Sequence, residues 1–154
     1  MSAKFRYFLV IAFVMLLCIG LVLWLYVGQL PLPEGQDITG HVTRLDIVFD
    51  PAAGETTHET VSFDLTDQQV SAFLTLLQDS SYQRTLHRSS VSFDGEVTYT
   101  VSLTYQAGDR RETTMITILG NELINVLVTP DTSTGYLKII DPDFLTRLQE
   151  ILGN

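Results

Sequence analysis

From Tyr7 to Val27 the chain holds no charged side chain, and beyond it the pattern changes to short alternations of apolar and polar positions. As a helix, twenty-one residues at about 1.5 Å each span roughly 30 Å, the depth of a bilayer's hydrocarbon core. The pattern therefore predicts a membrane-crossing helix at 7–27. Lys4 and Arg6 precede it while Glu34 and Asp37 follow, so the positive-inside rule places residues 1–6 in the cytoplasm and the rest outside. Tyr7, Trp24 and Tyr26 mark its ends, where amphipathic rings favour the interface.

Two alternatives stay open. A cleaved signal peptide has a shorter apolar core and ends in small residues, whereas Leu25 and Tyr26 stand here. A lipid-bearing cysteine would need a small residue before it at the end of the run. Leu17 precedes Cys18 and nine residues of the run follow it, so this single cysteine reads as a small apolar helix residue. Pro31, Pro33 and Gly35 then predict a stiff, extended spacer at 28–37, with a folded domain at 38–154.

Within that domain, Val97, Tyr99, Val101, Leu103 and Tyr105 alternate with Thr98, Thr100, Ser102 and Thr104, the period of a strand with one wet face. Leu45, Ile47 and Phe49 alternate similarly in a first strand and Val61, Phe63 and Leu65 in a second. The loop Asp50–Gly54 joins these two as a hairpin. Thr66 and Gln69 have capping-box spacing, and Val70, Phe73, Leu74 and Leu77 form one helical stripe. Further strands are expected at 82–93, 97–105, 112–119, 123–128 and 136–140, joined by turns at Asp94-Gly95, Gly108-Asp109 and Gly120-Asn121 into a meander. A last helix is expected at 142–152, capped by Asp141, opened by Pro142 and closed by Gly153, with Leu145, Leu148 and Leu152 inward.

The predicted fold class is α+β: an antiparallel sheet of six to seven strands with two helices on one face, preceded by the apolar helix. Its expected core is Leu45, Ile47, Phe49, Val61, Phe63, Phe73, Leu74, Leu77, Tyr99, Val101, Leu103 and Leu148.

Charge narrows the partners. From Gln29 onward seven basic residues oppose all eighteen acidic ones, leaving −11 on the domain, and the only adjacent basic pair is Arg110-Arg111. Phosphate neutralisation requires clustered cations, so nucleic acid is not expected as a partner. The same acidity predicts a domain that stands off anionic lipid. With its one cysteine in the apolar run, the domain needs no disulfide.

Chemistry would have to be built around His41, His58 and His87. His58-Glu59 opens like a zinc-protease helix motif, but Ser62 stands where a second histidine is required, and the segment reads as loop. His87 with Ser89, Ser90 and Asp94 has triad residue types without a nucleophile-elbow motif. Asp46 with Asp50, or Asp141 with Asp143, could offer oxygens to calcium, but neither lies in an EF-hand-like loop. No glycine-rich phosphate loop occurs, and 129–136 reads as a polar connection. No catalytic residue, metal site or cofactor is assigned on this reading.

The segments ITGHVTRLDIVFD, DQQVSAFLTLLQDS, VTYTVSLTY and TGYLKI together resemble a family of small extracytoplasmic domains, of unknown function, held by one anchor in Gram-positive, clostridia-like bacteria. That resemblance implies a membrane-anchored α+β surface domain. The expectation is a non-enzymatic binding or interaction module whose partner is a protein or cell-envelope component. The alternatives are an accessory subunit of a larger membrane protein, acting through the helix, and an unrecognised enzyme.

Overall fold

The fold grows from the elements that local sequence specifies most strongly. The computed structural model describes residues 3–26, 28, 30–50, 55–85, 97–120, 123–128 and 132–153, with backbone alone at 3–4, 25–26, 48–50, 55 and 132–133. Ten elements follow in order: α1 (Ala3–Tyr26), β1 (Gln36–Asp50), β2 (Glu55–Leu65), α2 (Asp67–Asp79), β3 (Tyr82–Arg84), β4 (Val97–Ala107), β5 (Arg110–Leu119), β6 (Leu123–Val128), β7 (Thr132–Ile139) and α3 (Phe144–Leu152). Within α1, Phe5–Trp24 is long and apolar enough to cross a membrane, and none of it is buried against the domain.

The strands form one antiparallel sheet in the order β2-β1-β4-β5-β6-β7-β3. The β1–β2 hairpin and the β4–β7 meander agree with the sequence pattern, but β3 does not sit beside β4. It pairs with β7 at the opposite edge, Tyr82 facing Ile139 and Arg84 facing Leu137. Of the strand expected over 82–93, Tyr82–Arg84 is strand, and residues 86–93 and the turn Asp94-Gly95 lie outside the described residues.

Helix α2 begins as expected. Thr66 Oγ1 accepts from Gln69 N, and Gln69 Oε1 accepts from Thr66 N at 3.0 Å. The same glutamine donates through Nε2 to Ile151 O at 2.9 Å, which ties the start of α2 to the end of α3. Helix α3 starts later than expected. Asp141 accepts a bond from Asp143 N and so shapes the turn before the helix, and the N-cap is Asp143, whose side chain makes no capping bond. Gly153, at φ 76°, closes the helix in the left-handed conformation that glycine adopts without strain.

Both helices cover one face, where Val42, Phe73, Tyr99, Val101, Leu103, Ile116, Ile118, Ile124, Phe144 and Leu148 form the centre of the core. Three expected core residues are displaced. Leu45 and Ile47 are only half-buried, and Val61 is 42% exposed. The cause is strand parity: β1 pairs with β4 so that Val42 faces Val101 and Arg44 faces Tyr99, which turns Leu45 and Ile47 to the other side of the sheet. Phe63 and Leu74 pack at the core's margin, and the Phe49 side chain lies outside what is described.

The segment after α1 is not a free spacer. Gly28 donates to Tyr82 O at 3.0 Å and bridges to β3, Leu30 and Leu32 pack against the core, and Gly35 lies against β4. Burying two leucines outweighs the extended solvation that Pro31 and Pro33 would favour. Tyr82, at the centre of this contact, donates to Leu77 O at 2.9 Å, and burial pushes its phenol well above the ordinary tyrosine value. A raised folded-state value means stability is complete below about pH 10, the unfolded tyrosine value, and declines as pH rises above it. Urea unfolding should therefore show stability falling above about pH 10. In Tyr82→Phe that fall should be weaker, against a loss of about 1 kcal/mol at neutral pH from the missing hydrogen bond.

Candidate binding surface

Because β4 alternates so regularly, turning Tyr99, Val101 and Leu103 toward the helices sends Thr98, Thr100, Ser102 and Thr104 to the opposite face. Register then aligns hydroxyls across the sheet. Ser62 on β2 faces Thr43 on β1, Thr43 faces Thr100, Thr100 faces Thr117 on β5, Thr117 faces Asn125 on β6, and Asn125 faces Tyr136 on β7. At about 4.8 Å between strands, this row of uncharged hydrogen-bonding groups runs roughly 24 Å across the sheet. Parallel to it, Thr39, Thr104 and Thr113 make a shorter row. Thr43 and Ser62 share a hydrogen bond of 3.1 Å, and Thr104 and Thr113 one of 3.2 Å, which holds those side chains in fixed rotamers.

Among the described residues neither α2 nor α3 covers this face, and the row residues are exposed or half-buried. At one end of the face Leu119 is buried, and Thr98 Oγ1 is enclosed with no hydrogen-bond partner among the described residues. The row offers uncharged hydrogen-bonding groups, bordered on the same face by Leu45, Ile47, Met115 and Leu127, and suits a ligand that hydrogen-bonds without charge.

A second concavity, about 480 Å³, lies between the start of β1 and α2 and is lined by Asp37, Ile38, Thr39, Asp67, Val70, Ser71 and Leu74. Asp37 sits there at φ 53°, where β1 shifts register against β4. Aspartate tolerates this left-handed conformation better than most side chains. On the helix-covered face, Arg44 and Asp46 pair at 2.9 Å and Arg44 stands 6.0 Å from the Tyr99 ring centre. The hydrogen bond that Arg44 donates to Asp46 raises the guanidinium's pKa. The Tyr99 hydroxyl beneath it is buried and has no hydrogen-bond partner.

The histidines are not brought together. His41 lies on β1 with Nδ1 2.8 Å from Asp64, and His58 lies on β2 opposite Ile47. The segment around His58, expected as loop, is thus strand, because pairing with β1 extends β2 back to Glu55. His87, Ser89, Ser90 and Asp94 lie outside the described residues. Asp46 and Asp50 are four residues apart along β1, about 13 Å by the strand rise, and the Asp50 side chain lies outside what is described. Asp141 has both oxygens engaged, by Asp143 N, by Ser80 and by Arg147 at 3.3 Å. Among the described residues no three His, Cys, Asp or Glu side chains gather as a metal site. Arg110 and Arg111 open β5 beside the Gly108-Asp109 turn, and the connection expected over 129–136 is shorter, since Thr132–Tyr136 belong to β7.

The hydroxyl row was not anticipated. Its signal was the eighteen threonines, but which of them share a row depends on register, and a single strand's alternation does not state that. Comparison with family profiles, with curated proteins and with solved structures finds no match to this chain.

Proposed function

We propose that this chain is a membrane-anchored, extracytoplasmic binding module, held by α1 and presenting the open face of its sheet to a protein or cell-envelope ligand. The observation that carries this reading is the uncharged hydroxyl row, fixed by backbone pairing across six strands and left uncovered by both helices. Rigid, regularly spaced donors and acceptors favour binding, because little conformational freedom is lost when a ligand engages them. Retention of the helix is supported by its contacts, since Trp24 and Gly28 both meet β3 and form part of the folded unit. The flanking charges Lys4 and Arg6 against Glu34 and Asp37 support the outward placement of the domain.

The test uses cells producing the full chain with a photocrosslinking residue at Thr100. Protease added to wall-free cells should digest the domain. Crosslinked partner should persist when Tyr7–Val27 is exchanged for an unrelated apolar helix, and should disappear in Thr43→Arg, which sets a long cation into the row. A protected domain would overturn the orientation. Capture lost on helix exchange but retained in Thr43→Arg would assign partner binding to the helix and make the chain an accessory subunit.

A further inference from the structure

The sheet is electrically lopsided. Strands β1 and β2, at one edge, contain Asp37, Asp46, Asp50, Glu55, Glu59 and Asp64. Strands β3, β7 and β6, at the other, contain no acidic residue, and they carry Arg84 and Lys138, both exposed. Among the described residues, the acids near this edge include Asp79, which ends α2, and Asp141, which is already paired with Arg147.

Exposed apolar side chains follow the same asymmetry. Apart from α1, the large hydrophobics that stand out are Met115, Leu127, Tyr136 and Ile140 together with Val61, and the first four all lie on or directly after β5, β6 and β7. On the open face Tyr136, Lys138 and Ile140 alternate along β7 and its end, while Leu127 faces Met115 on the adjoining strands. Arg84 lies on the other side of the edge, by its pairing with Leu137, a core residue. Cations therefore flank the edge on both faces, beside an aromatic and aliphatic patch.

This is the edge to which α1 is fastened. The Arg84 guanidinium stands 4.5 Å from the centre of the Trp24 ring, and Gly28, four residues further on, is bonded to Tyr82. Trp24 closes the stretch able to cross a bilayer, so a membrane around α1 brings Arg84 to headgroup depth. Lys138 is on the adjacent strand, about 5 Å away, and its long side chain can reach the same layer.

Resting on the membrane-anchor reading, we infer that the β3–β7 edge is a lipid-docking rim, with Arg84 and Lys138 engaging the phosphates of anionic headgroups and Leu127 and Ile140 entering the interface. The domain sits against the bilayer by this edge despite its overall charge, because six of the acids lie on the far strands and none on β3, β6 or β7. The hydroxyls of β2, β1 and β4 then face away from the lipid contact and stay accessible.

The experiment places the full chain in nanodiscs of phosphatidylcholine alone or mixed with phosphatidylglycerol and follows amide hydrogen exchange in β3 and β7. Exchange should be about thirtyfold slower in the anionic discs, the scale expected for two cations at a charged surface. The double variant Arg84→Gln/Lys138→Gln should lose that difference, and Arg84→Lys should keep most of it. Both side chains are exposed, so the fold should survive, and should the double variant unfold, each single variant is expected to lose part of the effect. Equal exchange in the two lipids, with the chain still embedded, would overturn the rim alone. Protection reproduced by inorganic phosphate in zwitterionic discs would replace the lipid surface by a free-phosphate site, and protection that tracks protein concentration would replace it by self-association. A chain that washes out of the discs would overturn the anchor reading and the rim with it.

Discussion

Alanine at Phe73 lowers the domain's unfolding free energy by about 3–5 kcal/mol, the range for deleting a buried aromatic ring and leaving a cavity. Phe73 is fully buried on the inward stripe of α2, in one cluster with Val42, Val101, Leu103 and Leu148. Two restraints keep that space from closing. The strands beneath are hydrogen-bonded on both sides, and the start of α2 is held by its capping box and by Gln69 on Ile151 O. Urea titration of the full chain in detergent, followed by far-ultraviolet dichroism, should show a lower midpoint with an unchanged slope. A variant melting like the parent would mean that α2 presents a different face to the sheet.

Gly35→Ala should cost about 1–3 kcal/mol, the scale of forced overpacking. A methyl group there would stand 2.6 Å from Gln106 O and 2.7 Å from a Tyr105 ring carbon. The carbonyl cannot turn aside easily, since Gln106 is paired with Gln36 on β1 and with Arg111 on β5. Relief must come from the segment lifting off, which would take Leu30 and Leu32 from the core. The expected signs are a lower urea midpoint and faster proteolysis between residues 28 and 35. Parent-like values for both would show that this stretch is the free spacer that its prolines suggest.

The contrast between these two residues shows where sequence stops being informative. Phe73 was legible because a helix repeats every 3.6 residues, and the stripe through Val70, Phe73 and Leu77 identifies its buried side without reference to any partner, although Leu76 is buried where Leu74 was expected. The apolar span, the Thr66–Gln69 box, the β4 alternation, the turn at Gly108 with φ 61° and the stop at Gly153 were legible for the same reason. Each is settled within a few residues of chain.

Tertiary structure decided what depends on a neighbour far away in sequence. A strand's period of two leaves both faces equivalent until a partner fixes one, so Leu45 and Ile47 looked inward by their own alternation and were turned outward by the pairing of Arg44 with Tyr99. The placement of β3 beside β7, the seating of Gly28 on β3, of Leu30 and Leu32 on the core and of Gly35 on β4, and the hydroxyl row from Ser62 to Tyr136 are likewise products of long-range contacts. The chain alone thus determined which segments are helix or strand and that one face of the sheet is polar. Which polar groups share a row, and which edge meets the anchor, followed only from backbone hydrogen bonds between residues distant in sequence, whose partners no local pattern encodes.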